Sequence, residues 1–176
     1  YLHQRGRLRP TIIKIEGARS MKIEFVREIA ASADTVWQVI TDFSSYSQWN
    51  PFVTACSCDL TVGAPIAMTV RLGEQVRDQV EFVSEVVPGE LFEYRMKPVG
   101  WLLHSYRQHD VCAVNDTTTR YRSIFELNGW ISPLVGMMLG KALHNGFEGM
   151  TDSLVSRAES MVKLSTLGQE VSDDDI

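Results

Sequence analysis

The sequence predicts an α+β domain in which a curved antiparallel sheet of about seven strands is covered on one face by a long C-terminal helix. Three observations carry this. Between residues 52 and 127, short apolar-rich stretches are separated by hairpin-sized turn signals, as antiparallel neighbours are. After Pro133 an apolar stripe recurs at three- and four-residue steps, the spacing of an amphipathic helix. A short helical pattern separates the first strand from the others. At 176 residues, the chain fits one such domain.

The first strand is expected at residues 21–30, a loosely alternating run enriched in Ile23, Phe25 and Val26. A helix follows, with Ser32 or Asp34 as its cap and Val36, Trp37, Ile40 and Phe43 as its buried stripe. Pro51 pushes Asn50 out of the helical region and ends this insert. Six strands are expected next, at 52–60, 64–72, 75–87, 91–97, 102–114 and 118–127. Ile66, Met68, Val70 and Leu72 share one face, as do Tyr121, Ser123, Phe125 and Leu127. Arg71, Arg120, Arg122 and Glu126 take the opposite faces, so the sheet has one dry side and one wet side.

The closing helix opens at Pro133 with Ser132 as its cap. It is expected to reach about Leu164, roughly 45 Å at 1.5 Å per residue. Its stripe runs through Val135, Met138, Leu139, Ala142, Leu143, Phe147, Met150, Leu154, Ala158 and Met161. Gly136, Gly140, Gly146 and Gly149 are unexpected there, since each costs about 1 kcal/mol relative to Ala. They admit a close approach of backbone, make room for a guest, or mark a kink.

A net charge of −5 argues against nucleic acid as a partner, because such binders present a basic face. The charge is uneven. Arg5, Arg7, Arg9, Lys14 and Arg19 stand against Glu16 in residues 1–20, a basic extension that could touch anionic lipid or nucleic acid but reads better as a mis-assigned start, a cloning remnant or a floppy arm. Residues 21–165 hold the expected domain, and 166–176 an acidic flexible tail. No run approaches the roughly 18 apolar residues of a spanning helix, so no integral membrane association is expected. Cys56, Cys58 and Cys112 are an odd set without a disulfide framework. The Cys56–Cys58 pair lacks further zinc ligands, and small buried thiols in a reducing cytoplasm are the expectation. No P-loop, dinucleotide fingerprint or metalloprotease motif occurs, so neither a metal nor a cofactor is expected. Nothing in the sequence indicates an oligomeric state.

Ile29-Ala30-Ala31-Ser32-Ala33-Asp34-Thr35-Val36-Trp37 runs into Asp42-Phe43-Ser44-Ser45-Tyr46-Ser47-Gln48-Trp49-Asn50-Pro51-Phe52. This opening, together with Val87-Pro88-Gly89-Glu90-Leu91, His104-Ser105-Tyr106 and Gly146-Phe147-Glu148-Gly149-Met150, resembles the START-like, helix-grip (SRPBCC) superfamily. The likeness is to its polyketide cyclase/dehydrase and lipid-transport branch and spans residues 21–161. It implies a pocket between sheet and C-terminal helix that takes a small hydrophobic or amphipathic molecule such as a lipid, quinone or polyketide. A departure is Phe125, where the resemblance leads one to expect an acidic or polar inward residue.

Chemistry in such a pocket must come from isolated polar groups. His104, Tyr106, Gln108 and Asp110 share a face of their strand, with Ser105, Arg107 and His109 opposite. Cross-strand matching to Tyr121 turns the His104 face inward and makes His104 and Tyr106 the catalytic candidates, able to bind or protonate a carbonyl. The plainer reading makes them hydrogen-bonded wall residues. Ser123 is a further donor. Asp78 shares a face with Val76, Val80 and Phe82 and is expected at the pocket mouth. Phe92, Tyr94 and Met96 are expected to form a wall with Met68, Val70, Tyr121 and Phe125, facing Met138, Phe147 and Met150 on the helix. Trp49 either seats the insert or gates the pocket, and Trp101 guards the rim. Three functions follow: a ligand-binding module, a cyclase, aromatase or dehydratase using the same pocket, and a protein-interaction domain. An exposed apolar patch on the outer sheet face would favour the last.

Overall fold

The computed structural model describes residues 12–14 and 20–173. Most of the basic extension expected at 1–20, and the last three residues of the acidic tail, lie outside the described residues. A short strand, β1 (Ile12–Lys14), pairs with β2 (Ser20–Ile29). The six strands expected after the insert are β3 (Val53–Cys58), β4 (Pro65–Leu72), β5 (Gln75–Val87), β6 (Leu91–Met96), β7 (His104–Asn115) and β8 (Thr118–Asn128). All strands join one antiparallel sheet in the order β1-β2-β8-β7-β6-β5-β4-β3. β2 through β8 are the seven expected strands, and β1 adds an edge.

β2 and β3 are consecutive in the chain but lie far apart in the sheet, so the insert between them must cross its concavity. α1 (Ala33–Thr41) starts where the Ser32 hydroxyl accepts the Thr35 N–H, and it buries Val36, Val39 and Ile40. A 3₁₀ turn at Phe43–Ser45 leads into α2 (Tyr46–Trp49). The Tyr46 hydroxyl donates to the Ile40 carbonyl at 2.6 Å and folds the insert on itself. The Asn50 side-chain oxygen then accepts the N–H groups of Phe52 and Val53, fixing the angle at which β3 leaves.

The closing helix, α3 (Ser132–Asp173), runs past the expected end at Leu164. Its entry turn needs Gly129, because at φ +122° a Cβ would stand 2.3 Å from the Leu102 carbonyl oxygen. The helix is seated by its middle. Phe147, Met150, Thr151, Leu154 and Ala158 are buried, whereas no residue from 133 to 146 is. At the changeover stands Gly146, where a Cβ would clash with the Phe52 ring, 2.2 Å from its nearest carbon. The glycine therefore serves close approach of α3 to the start of β3 and involves no kink.

Two strand faces differ from expectation. The two-residue loop Asp116-Thr117 would by itself set Cys112 opposite Tyr121 and Tyr106 opposite Leu127. A bulge between Ala113 and Asn115 inserts one residue, so Val111 faces Tyr121 and Ser105 faces Leu127. A one-residue slip exchanges every side chain on a strand between faces. Arg107, His109 and Val111 therefore point into the core, and His104 and Tyr106 point out. On β5, Glu81 lies opposite Ile66 and Met96, and Val83 opposite Tyr94. These two are interior, so Asp78 and Phe82 face outward.

Candidate functional site

Directly opposed residues in a sheet project to the same face, so the ladder registers define the interior. One row across β5, β6, β7, β8 and β2 is Val83, Tyr94, Arg107, Phe125 and Ile23. The next is Val86, Phe92, His109, Ser123 and Phe25. α3 lies over both, tied to β8 where the Thr151 hydroxyl donates to the Phe147 carbonyl and reaches the Ser123 hydroxyl. A core dominated by aromatic and aliphatic side chains thus encloses a small set of strongly polar groups.

Arg107 is the foremost of these, at 2% exposure. Its Nη1 donates to the Ile124 carbonyl at 3.0 Å, and its guanidinium carbon lies 4.4 Å from the centre of the Phe147 ring. Its Nε and Nη2 are buried and have no hydrogen-bond partner of good geometry among the described residues. An arginine stays charged in a protein interior, and an uncompensated buried charge destabilises by several kcal/mol. Glu81, 8% exposed, accepts from the Gln79 side-chain nitrogen at 2.8 Å. Burial pushes its carboxyl up from 4.5 to about 7, although the Arg107 charge pulls the other way. It is therefore poised between acid and base near neutrality.

His109 Nδ1 lies 2.6 Å from the Tyr121 hydroxyl. Burial holds the imidazole well below its ordinary pKa, and the Arg107 charge acts in the same direction, so the ring is neutral. Burial likewise raises the phenols of Tyr46, Tyr94 and Tyr121, with Arg107 offsetting part of each shift. The interior thus offers a fixed cation, neutral phenols, a neutral imidazole and a carboxyl that titrates near pH 7. It can hold the polar end of a guest and exchange a proton with it.

A groove of about 540 Å³ opens beside this interior, where α3 is only partly covered. Phe52, Arg71 and Gly73 line it on one side, and Met138, Lys141, Ala142 and Asn145 on the helix side. Phe52 meets Phe147 edge-on at 4.8 Å, and Phe147 carries Arg107 on its ring. The contacts therefore run from the groove through two aromatic rings to the unpartnered guanidinium.

Of the residues predicted to line a pocket, Met68, Val70, Phe92, Tyr94, Tyr121, Ser123, Phe125, Phe147 and Met150 are buried. Met96 is half-buried and faces Glu81. Phe125 points inward, as the sequence suggested, and packs on Phe147 at 4.9 Å. His104, Tyr106, Asp78, Phe82 and Met138 need correction. His104 is exposed on the outer face. Tyr106 lies there too, under Arg95, where burial and a hydrogen bond to Glu126 push its phenol up to about 12. Asp78 accepts from the Thr69 hydroxyl on the outer face, and Phe82 is 39% exposed there. Met138 is 71% exposed, so it belongs to the open groove and not to the closed wall. Trp101, 68% exposed, packs edge-on against Trp130 in the β6–β7 loop. Trp49 lies between the insert and α3, beside Asp152 and Arg157 in a separate hollow. Arg107, His109 and Glu81 were missed. On β7 the apolar residues do not decide the face, because Val111 continues the Arg107 set while Val114 continues the His104 set.

Comparison with known proteins adds an independent line. The model of the polyketide cyclase/dehydrase and lipid transport family matches residues 20–159. Among solved structures, the Zhui aromatase/cyclase from Streptomyces sp. R1128 is similar with a TM-score of 0.68 at 15% identity, covering 81% of this chain and 96% of that one. A START superfamily protein from Mycobacterium smegmatis has a TM-score of 0.65 at 19% identity, covering 80% and 98%. A norcoclaurine synthase mutant from Thalictrum flavum, in complex with a transition-state analogue, has a TM-score of 0.63 at 18% identity, covering 83% and 99%. At these identities the likeness speaks for the helix-grip fold. A comparison with curated protein sequences finds no match.

Proposed function

Because the chain belongs to the polyketide cyclase/dehydrase and lipid transport family, we propose that it binds a small amphipathic molecule between the sheet and α3. The observation that carries this is the juxtaposition of an apolar-walled groove, open along the first half of α3, with a buried polar group that lacks partners. Apolar walls supply affinity without specific chemistry. Roughly 300 Å² of ligand surface at about 25 cal/mol per Å² gives several kcal/mol before the costs of association. Polar interior groups fix orientation, as in most small-molecule sites.

The test uses methyl 2-naphthoate as an uncharged apolar probe. Wild-type protein is expected to take it up saturably, and Ala142→Trp, which puts an indole into the groove, to bind it at least about tenfold more weakly. Absence of saturable uptake by the wild type, or equal uptake by the variant, contradicts the reading.

A second reading is catalytic and is favoured by Glu81 alone. A carboxyl near pH 7 beside a fixed cation suits proton transfer during an intramolecular condensation or dehydration. In that case the proton carrier is Glu81 on the inner face, and His104 and Tyr106 play no part. The interaction-domain reading is supported by Val76, Val80 and Phe82, which lie exposed on the outer face.

A further inference from the structure

We propose that the molecule bound carries a carboxylate, and that Arg107 receives it through a two-pronged hydrogen bond. This deepens the ligand-binding reading above and rests on it.

The donors of Arg107 are unequally satisfied. Nη1 is engaged by the Ile124 carbonyl. The two nitrogens left without partners are Nε and Nη2, both fully buried. In a planar guanidinium the Nε–H and the nearer Nη2–H point the same way along one edge. That edge is the fork that matches the two oxygens of a carboxylate. A carbonyl or ether oxygen would engage one prong and leave the other buried and unsatisfied.

Among the described residues no side chain makes a well-formed hydrogen bond to the fork; the Tyr121 hydroxyl lies near enough to interact with the guanidinium, but a single neutral oxygen cannot occupy both prongs. Glu81 is near enough to feel the Arg107 charge, yet it hydrogen-bonds to Gln79 and leaves both prongs unpartnered. It also becomes protonated near neutrality, so it is a poor permanent counter-ion. The buried phenols stay neutral and cannot balance the cation. Phe147 satisfies one face of the guanidinium plane, which leaves the edge free to take an in-plane partner. Phe147 also packs on Phe52, which lines the groove, so a guest whose carboxylate reaches Arg107 from the groove passes this pair of rings.

The experiment compares 2-naphthoate with methyl 2-naphthoate, which share a ring system and differ in the anionic fork partner. Wild-type protein is expected to prefer the acid by about tenfold or more at pH 7.5. In Arg107→Met the ratio of the two affinities is expected to fall to near one. In Arg107→Lys, which keeps a charge but loses the fork, it is expected to be intermediate. Equal wild-type affinity for both probes overturns the carboxylate proposal and leaves the ligand-binding reading standing. Binding of neither probe overturns both. Loss of the preference in Arg71→Met/Lys141→Met, with Arg107 intact, overturns the assignment to Arg107 and moves recognition to the groove rim.

Discussion

Glu81 and His109 face the same interior, yet burial moves their proton affinities in opposite directions. Glu81 holds its proton more tightly in the folded chain, with a pKa of about 7 against 4.5 when unperturbed. Stability is therefore lost as pH rises from 4.5 to 7, towards a ceiling of about 3 kcal/mol. His109 holds its proton less tightly when folded, so its contribution is present above the ordinary histidine pKa and is lost as pH falls below it. The two slopes oppose each other in the wild type, and a single substitution separates them. Glu81→Gln keeps an acceptor for Gln79 and removes the titration. Urea unfolding is expected to show it more stable than wild type by roughly 1–3 kcal/mol at pH 8 and unchanged at pH 4. A gain independent of pH would place the Glu81 carboxyl in water.

At the scale of elements, the four helix glycines separate into those that touch and those that do not. A Cβ at Gly146 clashes with the Phe52 ring, which is itself packed on Phe147. A Cβ at Gly140 meets only the Met21 sulfur, at an ordinary 3.5 Å. Gly140→Ala is expected to raise stability by about 0.5–1 kcal/mol through helix propensity. Gly146→Ala is expected to lower it by about 1–3 kcal/mol despite the same propensity gain, because the core is overpacked. Thermal or urea unfolding reads both, and adding Phe52→Leu is expected to restore part of the loss.

The same elements show what was legible in the sequence. Strand positions and the long helix followed from turn signals and apolar spacing, since those patterns are local. The inward faces of β4, β6 and β8 followed too, because Met68, Phe92 and Tyr121 belong to alternating sets that mark the dry side. β7 did not follow. Its register depends on a bulge near Val114 that no residue type announces, and one extra residue exchanged Arg107 and His109 with His104 and Tyr106. β5 misled for a different reason. Its apolar residues Val76, Val80 and Phe82 lie on the outer side, while the interior position went to a carboxyl, Glu81. The site was hidden because its members are charged residues on a face where burial disfavours charge.

Across the whole molecule, α3 does two jobs along its length. Residues 147–158 complete the core through Phe147, Met150, Leu154 and Ala158. Residues 133–146 run along a rim where Leu134, Met137 and Met138 remain exposed. This division leaves an open groove beside the core, with Phe52 on one side and Met138 and Ala142 on the other. Among the described residues no helix is long and apolar enough to cross a membrane.

The most direct test is where a bound guest touches the chain. With methyl-labelled methionine and alanine, intermolecular nuclear Overhauser contacts from saturating methyl 2-naphthoate are expected at Met138 and Ala142, on the groove side of α3. Contacts confined to methyls on the outer sheet face, such as Ala67, or no contact at all with the α3 methyls, would contradict a ligand site between sheet and helix.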